Sequence, residues 1–166
     1  MDRHFSLFIS MKKIFTIFIL CGITFVVHTA SWAENSPQLV IRDHSSQKKI
    51  VEISIDYGET FTIRYIHSVD QSPVFEVFRV TKGDGLVLEE TYFRMFGAGM
   101  GHWQGHGKLF QDGIRTRIKE INYKLGSFVL RVGSKGVDHT ILFRDQEIHL
   151  SEIAAGHRVE VLIVDP

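Results

Sequence analysis

From Gln38 to Val164 apolar and polar residues alternate with a period of two, and β-branched and aromatic side chains fill the apolar positions. That alternation is the signature of half-buried strands. It predicts strands at Gln38–Arg42, Ile50–Ile55, Thr60–Val69, Val74–Thr81, Leu86–Phe93, Thr116–Tyr123, Ser127–Val132, His139–Phe143, Glu147–Leu150 and Arg158–Val164. Turn-forming residues separate them at Asp56-Tyr57-Gly58, Asp70-Gln71-Ser72-Pro73, Gly83-Asp84-Gly85, Gly133-Ser134-Lys135-Gly136 and Ala155-Gly156. No segment carries the period of a long amphipathic helix. About ten short strands with no helix between them predict an all-β fold, a single-domain β-sandwich or partly open barrel.

The first 33 residues follow a different pattern. Met11-Lys12-Lys13 is a basic start, Ile14 to Val27 is an apolar run, and Ser31 and Ala33 are the small residues of a cleavage site. These are the three parts of a secretory signal peptide. The expectation is export to the periplasm, cleavage after Ala33, and one β domain over 34–166. Met11 begins a tidier signal than Met1, and the choice of start stays open. The apolar run is shorter than the roughly 20 residues that span a bilayer, which favours cleavage over anchoring. The chain has 166 residues, a formal net charge of zero and a single cysteine, Cys21, inside the apolar run. Phe18-Ile19-Leu20 before it supply no small residue for lipidation. After cleavage no thiol remains for disulfides, thiolate catalysis or Cys-ligated zinc. The neutral balance argues against a basic nucleic-acid-binding surface.

Candidate chemistry gathers in two places. A hairpin closed at Val69 and Val74 would set Tyr65 opposite Phe78, Ile63 opposite Val80 and His67 opposite Glu76. One apolar face would then carry a single imidazole facing a single carboxylate. The pair reads either as a structural hydrogen-bonded pair or as a ligand- or proton-binding site at the rim. The same register sets Arg64 against Arg79, which is unfavourable. Ser68 follows His67 on the opposite face, so the two make no nucleophile pair. The second place is the glycine-rich segment Gly97 to Gly107, which includes Gly99, Met100, His102, Trp103 and His106. It fits neither a phosphate loop nor a dinucleotide fingerprint. His102 and His106, together with His67, are candidate metal ligands, and Trp103 is a candidate partner anchor. Arg131, in an otherwise apolar strand, is either snorkelling or an anion clamp. Glu89 and Glu90 are adjacent on a strand and should point apart, which weakens them as a catalytic pair. With no nucleophile elbow and no zinc-protease motif either, the reading is that the protein is not an enzyme and carries no cofactor.

Several motifs together resemble the bacterial family called domain of unknown function 1850. They are Tyr65-Ile66-His67-Ser68-Val69, Pro73-Val74 with Glu76, Glu90 with Phe93, and Gly97-Ala98-Gly99-Met100. Leu130-Arg131-Val132-Gly133-Ser134, His139-Thr140-Ile141-Leu142 and Ile148-His149-Leu150-Ser151 resemble its second half. The stretch His102 to Gly107 departs from the family pattern. Members of this family look like small exported proteins encoded beside TRAP transporters of the TAXI type, which take up organic acids through an exported binding protein and membrane subunits. The resemblance therefore implies a periplasmic accessory protein of solute uptake. It would contact a TRAP membrane subunit or the solute-binding protein, or sense ligand, and would reach the membrane only through a partner. The residues expected to serve it are His67, Ser68, Glu76, Gly97, Gly99, Met100, Trp103 and Arg131. The alternative is a stand-alone small-molecule or metal-binding module built on His67, His102 and His106.

Overall fold

The alternating segments form two antiparallel sheets in a computed structural model that describes residues 36–94 and 107–166. In chain order the strands are β1 (Gln38–Asp43), β2 (Lys49–Ser54), β3 (Thr60–Ile66), β4 (Pro73–Thr81), β5 (Gly85–Phe93) and β6 (Lys108–Asp112). They continue as β7 (Arg115–Lys119), β8 (Tyr123–Gly126), β9 (Phe128–Arg131), β10 (Thr140–Phe143), β11 (Gln146–His149) and β12 (Arg158–Val164). A single helical turn, α1 (Leu150–Ile153), lies between the last two. The smaller sheet has the order β2-β1-β12-β9. The larger runs β11-β10-β3-β4-β5-β7-β6, with β8 also paired to β5. Neither sheet closes on itself, so the fold is a β-sandwich and not a barrel. The predicted leader, Cys21 included, lies outside the described residues.

Alternate residues of the central strands enter the shared core. Leu39, Ile41, Val159 and Val161 come from the smaller sheet. Phe61, Ile63, Val74, Phe78, Val80, Leu86 and Ile141 come from the larger one. Phe78 stacks between Phe61 and Phe128, with centroids 5.3 and 5.0 Å away, and so ties the two sheets together.

Three predicted segments differ from the structure. The predicted strand Thr116–Tyr123 is two strands. Glu120 and Asn122 take left-handed backbone angles (φ 57° and 48°). That break lets β7 pair with one half of β5 and β8 with the other. The strands on either side of the Gly133–Gly136 turn, β9 and β10, lie in different sheets. The predicted Glu147–Leu150 strand gives way to α1 at Leu150. β6 was not predicted, since five residues after a glycine-rich segment carry too short an alternation.

A buried knot holds the sheet crossing. The imidazole Nδ1 of His139 accepts from the Gly133 amide at 2.9 Å. The Ser151 hydroxyl donates to the Gly133 carbonyl at 3.0 Å and accepts from the His139 amide at 2.9 Å. The Tyr65 ring stacks on His139 with centroids 5.2 Å apart. Burial holds the His139 imidazole below its usual range, against a smaller opposite pull from Asp138. It is therefore neutral and able to accept at Nδ1. Gly133 has no alternative here, because a Cβ would lie 2.6 Å from Val137. Ser151→Ala should leave a buried amide and a carbonyl unsatisfied, costing about 1–3 kcal/mol. Urea unfolding should show that loss, while the exposed neighbour substitution Ile153→Ser should stay within about 0.5 kcal/mol of the parent.

Candidate functional site

The β3–β4 hairpin closes at Ile66 opposite Pro73, four residues of register away from the expected alignment. His67 therefore does not face Glu76, and this corrects the expected pair. Tyr65 lies opposite Val74, Ile63 opposite Glu76, and Arg64 opposite Phe75. Arg79 lies opposite Thr60, which removes the clash of like charges. A slip by an even number keeps every side chain on its face. Glu76 thus still points into the core face, with new neighbours.

Those neighbours make Glu76 an anomaly. Across the larger sheet the residues in register are Ile141, Ile63, Glu76, Thr91 and Ile118. All but Glu76 are at least nine-tenths buried. Glu76 is the single ionisable group in this row, and no described residue donates a hydrogen bond to its carboxylate. Loss of hydration pushes it up to about 7. Burial, helped by the Glu76 charge, also raises the phenol of Tyr65, which stays a neutral hydroxyl. Glu76 is half-buried, and a partly desolvated carboxyl without a partner offsets that cost by holding a proton, or by meeting water, a donor or a cation from outside.

His67 sits in the six-residue turn between β3 and β4. Its Nδ1 lies 2.9 Å from Asp70 Oδ1. Two amides, of Val69 and Asp70, are 3.4 Å from the same nitrogen. The shorter contact decides the tautomer: Nδ1–H donates to the carboxylate. Asp70 is only 3% exposed and also accepts the Ser72 hydroxyl at 2.6 Å. The Ser72 hydroxyl is the main cause that holds its carboxyl below the usual range, and the His67 contacts add to it. The imidazole is thereby oriented, and Nε2, with no partner among the described residues, is the atom offered outward. Asp70 and Ser72 were not among the expected site residues; an Asp two residues before a Ser in a turn was the available signal. Ser68 is exposed, and no hydrogen bond joins it to His67.

Arg131 is exposed at the end of β9, opposite Arg158 on β12, in the other sheet from Glu76. The structure does not bring it to this site. Gly97, Gly99, Met100, His102, Trp103 and His106 lie outside the described residues. The chain re-emerges at Gly107 with φ 81°, where a Cβ would lie 2.6 Å from the side chain of Ile118. Ile118 is a member of the Glu76 row, so Gly107 sits beside that row. Glu89 and Glu90 do not point apart as expected. A bulge opposite Val77 and Phe78 turns both outward. There Glu89 pairs with Arg79, and Glu90 pairs with Arg117 at 2.5 Å. A second histidine cluster was also missed. His149 Nδ1 lies 3.1 Å from both Asp138 Oδ1 and Thr140 Oγ1. Its other ring nitrogen, Nε2, lies 3.9 Å from Glu147 Oε2, so carboxylates flank both sides of the ring.

Glu76 fixes a pH dependence. Its folded pKa lies above the usual 4.5, so the folded state holds the proton more tightly than the unfolded chain. The resulting stabilisation is complete below about pH 4.5 and is lost as pH rises through about 7. His139, lowered, acts in the opposite sense below its usual 6.5, which makes the difference between variant and parent the proper readout. Relative to the parent, Glu76→Gln should gain up to about 3 kcal/mol of unfolding free energy between pH 5 and 9. A difference that stays flat over that range would mean that Glu76 is solvated in the folded protein.

The family model for the domain of unknown function DUF1850 matches residues 61–150. No curated protein and no solved structure matches the chain. The matched span contains the strands of the larger sheet apart from Thr60 at the start of β3, the β3–β4 turn, and Gly133 and His139 of the buried knot, but not Ser151. Strands β1, β2 and β12 lie outside it. With more than half its length covered, the chain belongs to the DUF1850 family.

Proposed function

We propose that this protein is a non-enzymatic periplasmic accessory of a TAXI-type TRAP solute-uptake system. Its working surface is the end of the sandwich at the β3–β4 turn, which contacts a transporter subunit or the solute-binding protein, or senses ligand. The observation that carries the reading is Glu76, a carboxyl on the core face of the larger sheet that no described residue pairs. A group kept at such a cost to folding is accounted for by an external donor. The oriented His67 Nε2 at the rim offers a second polar contact of the same kind. The export signal read from Met11 to Ala33 and the family resemblance support the location and the transport setting.

The test is uptake in the native host, joined to a tagged co-purification from gently solubilised membranes. Glu76→Gln with His67→Gln should lower uptake by about ten-fold and remove the transporter subunit from the purified material, while the protein stays folded and exported. Full uptake with only a changed melting temperature would assign both residues to folding. The metal-binding reading is favoured by one feature, the unpartnered Nε2 of His67. Among the described residues no three His, Cys, Asp or Glu side chains are grouped to hold a metal. Zinc titration of the whole protein separates the two. Stoichiometric binding lost in His67→Gln supports the metal module, and its absence at micromolar zinc leaves the accessory reading.

A further inference from the structure

The outer face of the larger sheet carries a feature that the uptake reading does not use. The row in register there is Arg64, Phe75, Tyr92, Arg117 and Phe110. Phe75 and Tyr92 stack with centroids 4.4 Å apart, and the Arg117 guanidinium lies 5.1 Å above the Tyr92 ring. At the turn end of this row is a cleft of about 140 Å³ lined by Ser72, Phe75, Tyr92, Arg94, Ile114 and Arg115, among others. Arg94 and Arg115 are both exposed, and neither meets a carboxylate among the described residues. The cleft therefore joins an aromatic floor to two exposed guanidinium groups, Arg115 standing opposite Asp112 in the hairpin register.

The hairpin of β6 and β7 forms one side of that cleft and, among the described residues, an edge of the sheet. Its turn residue Ile114 is 74% exposed. Leu109 is 59% and Phe110 45% exposed, and as neighbours on a strand they point to opposite faces. An interface with one protein partner buries one face of such a hairpin. Apolar side chains on both faces and at the tip suit a medium that surrounds the hairpin. Lys119 lies 5.8 Å above the Phe110 ring, which places a cation beside the apolar edge as well.

We propose that the β6–β7 hairpin and the cleft beside it dock the protein directly on an anionic phospholipid bilayer. The headgroup phosphate sits between Arg94 and Arg115. Ile114 enters the acyl boundary, with Phe110 and Leu109 at headgroup depth. This goes beyond the uptake reading, in which the membrane is reached through a partner, and it involves neither Glu76 nor His67.

The experiment is co-sedimentation of the protein, in the form that accumulates in its host, with phosphatidylcholine vesicles and with vesicles containing about 30% phosphatidylglycerol. Binding should require phosphatidylglycerol and should weaken in 0.5 M sodium chloride. Arg94→Gln and Arg115→Gln should each weaken it about five-fold, and Ile114→Ser should shorten residence on the vesicle. All three positions are exposed, and unchanged melting temperatures check that the variants are folded. Equal binding to both vesicle types, or binding indifferent to the two arginines, overturns the proposal. So does retention only on native membranes in a protease-sensitive way, which identifies a protein partner instead. Tight binding of glycerol phosphate with no vesicle binding identifies a small-anion site and equally overturns docking on a bilayer.

Discussion

The alignment of β3 against β4 is the constraint on which the rest of this fold depends. Closing the hairpin at Ile66 and Pro73 frees six residues for the turn. Those six fold around Asp70, which takes a hydroxyl from Ser72 and an imidazole N–H from His67. Two further bonds brace the turn, from the His67 amide to the Ser72 carbonyl at 2.9 Å and from the Gln71 amide to the His67 carbonyl at 3.1 Å. The same closure fixes what lies beside Glu76, because Phe75 and Glu76 hand their positions on to Tyr92 and Thr91 of β5 and then to Arg117 and Ile118 of β7. A different closure would change the neighbours of every core side chain in the sheet.

The hydrophobic pattern encodes parity, and parity survived. Tyr65, Ile63, Val74, Glu76 and Phe78 lie on the core face under either alignment, because the two differ by four residues. What alternation cannot encode is how far one strand slides along another. That distance is set by the turn, and the turn by side-chain hydrogen bonds of His67, Asp70 and Ser72. One trace of the answer was visible: the expected alignment opposed Arg64 to Arg79, a conflict that the true one removes. Glu89 and Glu90 were misplaced for a related reason. Strict alternation assumes no extra residue, and the bulge in β5 inserts one. The division of strands between two sheets was equally hidden, since the link from β9 to β10 reads locally like a hairpin turn. The knot of Gly133, His139 and Ser151 draws on three separate stretches of sequence, and only the folded chain brings them together.

Two polar groups in this interior follow opposite rules. The polar atoms around His139 are matched one to one: ring nitrogen to amide, hydroxyl to carbonyl, amide to hydroxyl. Such a set is satisfied and specifies geometry. Glu76 has the same need and no described donor to meet it. Both lie close to Tyr65, one stacked on the ring and the other acting on its phenol through its charge. A chain that can satisfy the Nδ1 of a buried imidazole beside this tyrosine could place a leucine at position 76 and stabilise the sheet. Retaining a carboxyl there makes sense when its partner arrives from outside the fold.

The residues that flank the glycine-rich segment in the sequence lie on the same sheet. The described chain stops at Arg94, just past Phe93, and resumes at Gly107 against Ile118. Phe93 is in register with Thr116, and Ile118 with Thr91, so both anchors belong to the part of the sheet that holds Glu76. Gly107 is held there by geometry: its backbone angle is left-handed, and any side chain would strike Ile118. Substituting it would move the anchor and not only the segment. Arg94, at the other anchor, opens toward the outer face and its cleft. Gly107 and Arg94 thus touch the two faces of one sheet, the core face with a carboxyl that no described residue pairs and the outer face with two exposed arginines.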